Sequence, residues 1–201
     1  MGNADGVISV WRLAPHDKTI GDCVAKFAGH ATVVNCLVPY KDGSLLLSGS
    51  DDKSIRVWDV KSEACVGEIT GHTGPVYSIA DIPGTHGCIV SSSGDHTLRI
   101  WKLVTTTTKA KLTTQHKFLA SLAKHTEAVF GVRIVKNAYI ASCGGEGLIY
   151  LWSLETGKIV ATFKGHTEGV RGLAVTAEGM VVSASFDKSL RVWRYIPPSP
   201  S

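Results

Sequence analysis

No stretch of the 201-residue chain is apolar for the roughly 18 residues that a membrane-crossing helix needs, and this predicts no transmembrane segment. The opening residues, MGNADG, carry neither a basic segment nor an apolar run, so no secretory leader is expected there. Gly2 invites a myristoylation reading, but Gly6 stands where Ser or Thr is required. The five cysteines (Cys23, Cys36, Cys65, Cys88 and Cys143) are odd in number, widely spaced and without a C-x-x-C pair. That pattern argues against a disulfide framework and against a zinc site. It predicts small buried hydrophobes in a reducing compartment, cytoplasmic or nuclear. A Gly-rich phosphate loop, a metal-ligand cluster and an isolated carboxylate pair are all missing, so no cofactor, metal, small-molecule substrate or catalytic residue is expected. Helical periodicity of useful length is missing too, and this points to an all-β chain.

What the sequence has is an ordinary globular composition, 44% hydrophobic and 19% charged, enough for one domain with a sizeable core or two small ones. The net charge of +4 is unevenly placed. Between Asp95 and Glu127 there is no acid, while Arg99, Lys102, Lys109, Lys111, Lys117 and Lys124 all fall there. One segment is basic; the chain as a whole is not.

The five tryptophans, Trp11, Trp58, Trp101, Trp152 and Trp193, are spaced by 47, 43, 51 and 41 residues. The segments before the last four read LLLSGSDDKSIRVW, CIVSSSGDHTLRIW, YIASCGGEGLIYLW and MVVSASFDKSLRVW. Ten residues before each of these tryptophans stands Ser48, Ser91, Ser142 or Ser183. Six before stands Asp52, Asp95, Glu146 or Asp187, with Asp5 before Trp11. Further upstream by 27 to 29 residues lie His30, His72, His125 and His166, preceded by glycine except at Lys124. Each unit contains four short β-branched or apolar runs separated by turn residues. Such self-similarity signals a repeat architecture.

The Gly-His near the start of each unit and the Trp-Asp ending at Trp58–Asp59 resemble the WD40 repeat family over residues 2–194. The resemblance implies a β-propeller of four-stranded antiparallel blades, the first strand lining the channel and the fourth forming the rim. Counting strands gives about four blades (units of about 30–71, 72–124, 125–165 and 166–194), preceded by a strand pair in the partial unit 1–29 and followed by a Pro-rich tail, 195–201. The last unit stops after its third strand. Seven blades are typical of the family, so three arrangements follow. The chain is a partial, open propeller or a fragment of a seven-bladed one; it closes by self-association or with a partner supplying the missing blades; or it is a small ring in which the CVAKFAG strand completes the last blade. An open arc would expose an apolar sheet face at each end.

Serine, histidine and aspartate are also the parts of a hydrolase triad. A triad occurs once, whereas this set occurs four times. The resemblance implies a structural tetrad in each blade: His30, Ser48, Asp52 and Trp58; His72, Ser91, Asp95 and Trp101; His125, Ser142, Glu146 and Trp152; His166, Ser183, Asp187 and Trp193. The protein is therefore expected to be a non-catalytic protein–protein interaction scaffold, without a membrane or nucleic-acid partner. Function falls to positions that vary between units. Five residues after each histidine, where the family points side chains to the top face, come Asn35, Tyr77, Phe130 and Arg171; before the turn acids come Asp51 and Phe186. The interval from Trp101 to His125 is ten residues longer than those from Trp58 to His72 and Trp152 to His166, which predicts a flexible bottom-face loop over 102–117 carrying Lys102, Lys109, Lys111 and Lys117. No aromatic residue interleaves those lysines before Phe118, so nucleic acid is disfavoured. Finally, residues 46–61 resemble the box of WD40 substrate receptors of cullin-type ubiquitin ligases, with Lys61 where arginine is commoner.

Overall fold

The computed structural model describes residues 5–12, 22–108 and 112–197. All regular structure in them is β, and no helix long and apolar enough to cross a membrane is found among the described residues. The strands form antiparallel sheets in chain order. A pair, β1 (Val7–Trp11) and β2 (Cys23–Ala28), comes first. Blade one is β3 (Val34–Tyr40), β4 (Leu45–Ser50), β5 (Ile55–Asp59) and β6 (Ala64–Ile69). Blade two is β7 (Val76–Asp81), β8 (Cys88–Ser93), β9 (Thr97–Thr107) and β10 (Leu112–Ala123). Blade three is β11 (Val129–Val135), β12 (Tyr139–Gly144), β13 (Ile149–Ser153) and β14 (Ile159–Phe163). Blade four has three strands, β15 (Val170–Val175), β16 (Val181–Ser185) and β17 (Leu190–Trp193). The chain is a partial, open propeller of four blades plus an N-terminal strand pair.

Its core lies in the seams between blades. Leu47, Ile55 and Val57 of blade one meet Val76, Ile79 and Ile89 of blade two. Val90 and Leu98 meet Val129 and Val132 at the next seam, and Ile149 and Leu151 meet Val170 and Leu173 at the last. Each blade thus buries its faces only against its neighbours, as repeat folds do. First strands β3, β7, β11 and β15 contact one another in sequence, which puts them on the inner side.

One of the arrangements left open by strand counting is decided by pairing. Strand β2 pairs with β1, and their Ile8 and Phe27 pack on Val34 and Trp58 of blade one. The small ring in which β2 would complete blade four is therefore not formed. The outward face of blade four is bare: Leu190 is 73% and Val192 61% exposed, against 1% and 0% for Ile55 and Val57 at the same positions of blade one. A covered side chain of that size is worth about 1.5–3 kcal/mol.

The expected loop over 102–117 is also corrected. Strands β9 and β10 continue as one antiparallel ribbon out to Leu112 opposite Thr107. Threonine-rich VTTT and LTT runs favour strand because their β-branched side chains suit the pleat, and the extra length of the interval lengthens the two strands instead of making a loop. The ribbon folds back on blade one, where Gly67 admits it: a Cβ there would lie 2.7 Å from the Thr114 carbonyl oxygen.

Candidate functional site

In each blade the histidine joins the serine to the turn acid. His30 Nδ1 lies 2.8 Å from Asp52 Oδ2 and Nε2 lies 2.6 Å from Ser48 Oγ, while Trp58 Nε1–H donates to the same Oγ at 2.8 Å. An ionised carboxylate only accepts, so Nδ1 carries the imidazole proton and Nε2 accepts from the Ser48 hydroxyl. Blades two and four repeat this within a tenth or two of an ångström, through Ser91 and Ser183. The geometry is triad-like, but Ser48, Ser91 and Ser142 are wholly buried and each oxygen already holds an indole N–H and an imidazole. No carbonyl substrate can reach them. These sets are polar pegs that satisfy one another inside each blade.

Turn acids of three blades also cap the hairpin after the second strand. Asp52 accepts from Ala31 N–H at 3.0 Å and from both N–H and Oγ–H of Ser54, at 3.0 and 2.6 Å. Burial raises the Asp52 carboxyl, but hydrogen bonds from Ser54, His30 and Ala31 outweigh it and hold the group at about 2. Asp95 and Asp187 are likewise held below the usual carboxylate range by the equivalent bonds, led by His72 for Asp95 and by Ser189 for Asp187. A carboxyl depressed in the folded state stabilises it above the unfolded value, near 3.8, and ceases to as pH falls through the folded value. The urea midpoint should therefore hold from pH 7 to about pH 4 and fall steeply toward pH 2, less steeply in Asp52→Asn; a midpoint unchanged at pH 2.5 would contradict this.

Blade three departs as a set. Glu146 binds His125 through one oxygen, and the other is buried without a partner. Gly144 makes room for it, since a Cβ there would lie 2.6 Å from Glu146 Oε2. Leu148 replaces the capping hydroxyl, and Gly147 takes the left-handed turn position (φ 78°) that Lys53, His96 and Lys188 occupy elsewhere. The lost glycine of Gly-His has a partner change too. Gly71 lies 3.0 Å, by its missing Cβ, from Trp101 Cη2 and 3.2 Å from Arg99 Nη1; in blade three Lys124 takes the glycine's place and Tyr150 the arginine's. Asp187 makes four capping bonds where Glu146 makes one, so Asp187→Ala should lower the thermal midpoint more than Glu146→Ala. Equal midpoints would contradict that difference.

Where the blades differ, the backbone makes the difference visible. Every first strand carries a β-bulge near its start, between Val34 and Cys36, Val76 and Ser78, Val129 and Gly131, and Val170 and Gly172. The extra residues are Asn35, Tyr77, Phe130 and Arg171. A bulge frees one residue from the ladder and re-aims its side chain. The two turns at this end of each blade are bonded together, as by Asp51 N–H to the Val33 carbonyl and Phe186 N–H to that of Gly169. The six expected top-face residues consequently form one ridge. Asn35 Nδ2 donates to Asp51 Oδ1 at 2.7 Å and to the Val76 carbonyl at 3.1 Å, next to Tyr77. Tyr77 and Phe130 rings lie 5.4 Å apart, and Phe130 and Phe186 rings 6.5 Å. The Arg171 guanidinium sits 4.8 Å from the Phe130 centroid and 5.6 Å from that of Tyr77. Phe186 is 56% exposed at the end of the ridge.

A WD40 profile (WD domain, G-beta repeat) matches residues 21–59, 63–102 and 157–194, more than half of the chain. The chain belongs to the WD40 family. Its WD40 relatives include Protein FIZZY-RELATED 2 of Arabidopsis thaliana, 31% identical over 88% of this chain and 35% of that protein. The Ribosome biogenesis protein WDR12 homolog of Nematostella vectensis is 31% identical over 96% of this chain and 50% of its own length. The CCR4-associated factor 4 homolog of Candida glabrata is 28% identical over 85% of this chain, which spans 31% of it. The chain thus covers a third to a half of these relatives. Among solved structures, the WD40 β-propeller domain of Doa1 superposes with a TM-score of 0.79, at 23% identity, over 96% of this chain and 60% of that one.

The other expected positions lie apart from the ridge. Lys102 and Lys117 stand opposite each other on β9 and β10, Lys102 Nζ donating to the Thr85 carbonyl at 2.9 Å; Lys109 and Lys111 lie outside the described residues. In the WD box, the Asp59 carboxylate takes the Ser62 hydroxyl and Lys61 is exposed. Cys36 and Cys143 are pushed up to about 12 by burial, whereas Cys23 and Cys65 on β2 and β6 are exposed, contrary to the expectation that strand cysteines are buried. One inner-strand residue was missed by the sequence reading: Arg133 of β11, whose Nη1 donates to Ser78 Oγ of blade two at 3.1 Å. Its signal was available, since Val38, Ala80 and Ala174 stand at the same place eight residues after the other histidines.

Proposed function

We propose that this WD40 chain is a non-catalytic interaction scaffold that holds a protein or peptide partner on the ridge Asp51, Asn35, Tyr77, Phe130, Arg171 and Phe186. The observation that carries the reading is the convergence, through four equivalent bulges, of the residue types that dominate interface energetics on one partly exposed cluster. The polar pegs are buried and recur in every blade, with Glu146 for Asp in blade three, so they cannot tell partners apart; the ridge differs at every blade. Five free thiols and the lack of a membrane-crossing helix among the described residues support a cytoplasmic or nuclear setting. Capture of partners by wild type and by Phe130→Ala and Arg171→Ala tests the assignment, with folding followed in the same samples.

A further inference from the structure

We propose that the ridge reads an acidic peptide, taking a carboxylate on Arg171 and laying an apolar side chain two residues away on Phe130 and Phe186. This rests on the scaffold reading of the same site. The Arg171 guanidinium is seated over two rings from neighbouring blades. Arg171 is exposed and, among the described residues, has no carboxylate or carbonyl partner, which leaves its guanidinium open to a bidentate acceptor. Ring contacts hold it in place before binding, which lowers the ordering cost. In an extended peptide, side chains two residues apart lie on one side about 6.6 Å from each other. The Arg171 guanidinium lies 4.8 Å from the Phe130 ring, and the Phe186 ring lies 6.5 Å from that of Phe130, so a carboxylate on the arginine and an apolar side chain against the two rings fall within that reach. A second cation, Arg133, lies on β11, its Nη1 donating to Ser78 Oγ and the Val132 carbonyl.

Carboxylate is favoured over phosphate by what surrounds the arginine. Phosphate sites gather several cations, whereas here Glu127 and Glu168 stand in the turns leading into β11 and β15, and Asp51 stands on the same ridge. Arg133 is engaged by Ser78 Oγ and the Val132 carbonyl, so Arg171 is the guanidinium left to the ridge, a match for a single negative charge rather than two.

The test is selection of a random nonapeptide phage library on the chain, followed by fluorescence polarisation of the enriched peptides as synthetic fluorescein conjugates. Enriched sequences should carry Asp or Glu two residues from Leu, Ile, Phe or Trp. Changing that acid to Gln or Asn should weaken binding about tenfold or more, as loss of a charged hydrogen bond does. In Arg171→Gln the acid and amide peptides should bind alike, and Arg171→Lys should recover part of the difference. The inference is overturned if enriched peptides show no acid preference, if that preference survives Arg171→Gln, or if a phosphoserine version binds more tightly than the acid. Peptides that lack an acid but lose binding in Phe130→Ala would leave the scaffold reading standing. No enriched peptide, or peptides indifferent to both Phe130→Ala and Arg171→Gln, would remove the reading and the inference together.

Discussion

Ser48→Ala should lower the thermal midpoint by roughly 4–16 °C, the equivalent of about 2–4 kcal/mol. The hydroxyl is wholly buried and serves two neighbours at once, accepting from the Trp58 indole and donating to His30. Its removal strands a buried N–H and a buried imidazole nitrogen, each costing about 1–3 kcal/mol. Loss of one hydroxyl oxygen contributes little volume, so the effect reports the hydrogen bonds. In a Trp58→Phe background the indole N–H is already gone, and Ser48→Ala should cost about half as much. Equal costs in the two backgrounds, by urea titration, would show that the peg does not act as a coupled unit.

Arg171→Ala and Phe130→Ala should each weaken partner binding at least about tenfold, with the urea midpoint nearly unchanged in Arg171→Ala and lowered only modestly, without unfolding, in Phe130→Ala. Interface energy concentrates in a few aromatic and arginine side chains. Here removing Phe130 takes away the ring between Tyr77 and Phe186 and also the seat of Arg171. Arg171 is exposed and bears no structural bond among the described residues, so folding should tolerate its loss. Val160→Ser, at a 38% exposed side chain of the outer strand β14, serves as control and should change neither quantity. Full binding by Arg171→Ala and Phe130→Ala would remove the ridge as the site.

Much of this was legible in residue order alone. Tryptophan spacing marked the units, and the Ser, His and acid positions marked the pegs, because a blade must place the same groups at the same offsets to bury them. The ridge was legible as six positions but not as a cluster. A bulge is a property of two strands in register, and the one-residue slip that aims Phe130 and Arg171 leaves no mark in either strand by itself. The β9–β10 ribbon was masked for a related reason: Thr106 opposite Thr113, and Thr107 opposite Leu112, make a strand pair only once the two arms meet. Arg133 was not singled out, and only its reach to Ser78 in the neighbouring blade gives it a role. Exposure of Leu190 and Val192 was foreseeable from the strand count, since their equivalents Ile55, Leu98 and Ile149, and Val57 and Leu151, are buried against the next blade.

The most direct test of the division between pegs and ridge is amide hydrogen exchange of the chain with and without a bound partner. Binding should slow exchange in the turns and bulges at 33–35, 75–77, 128–130, 169–171 and 185–187, and leave the strands at 102–107 and 112–117 and the turn at 59–62 as they were. Protection of those strands or of the Asp59–Ser62 turn, with the bulge segments unchanged, would place function elsewhere on the molecule and contradict it.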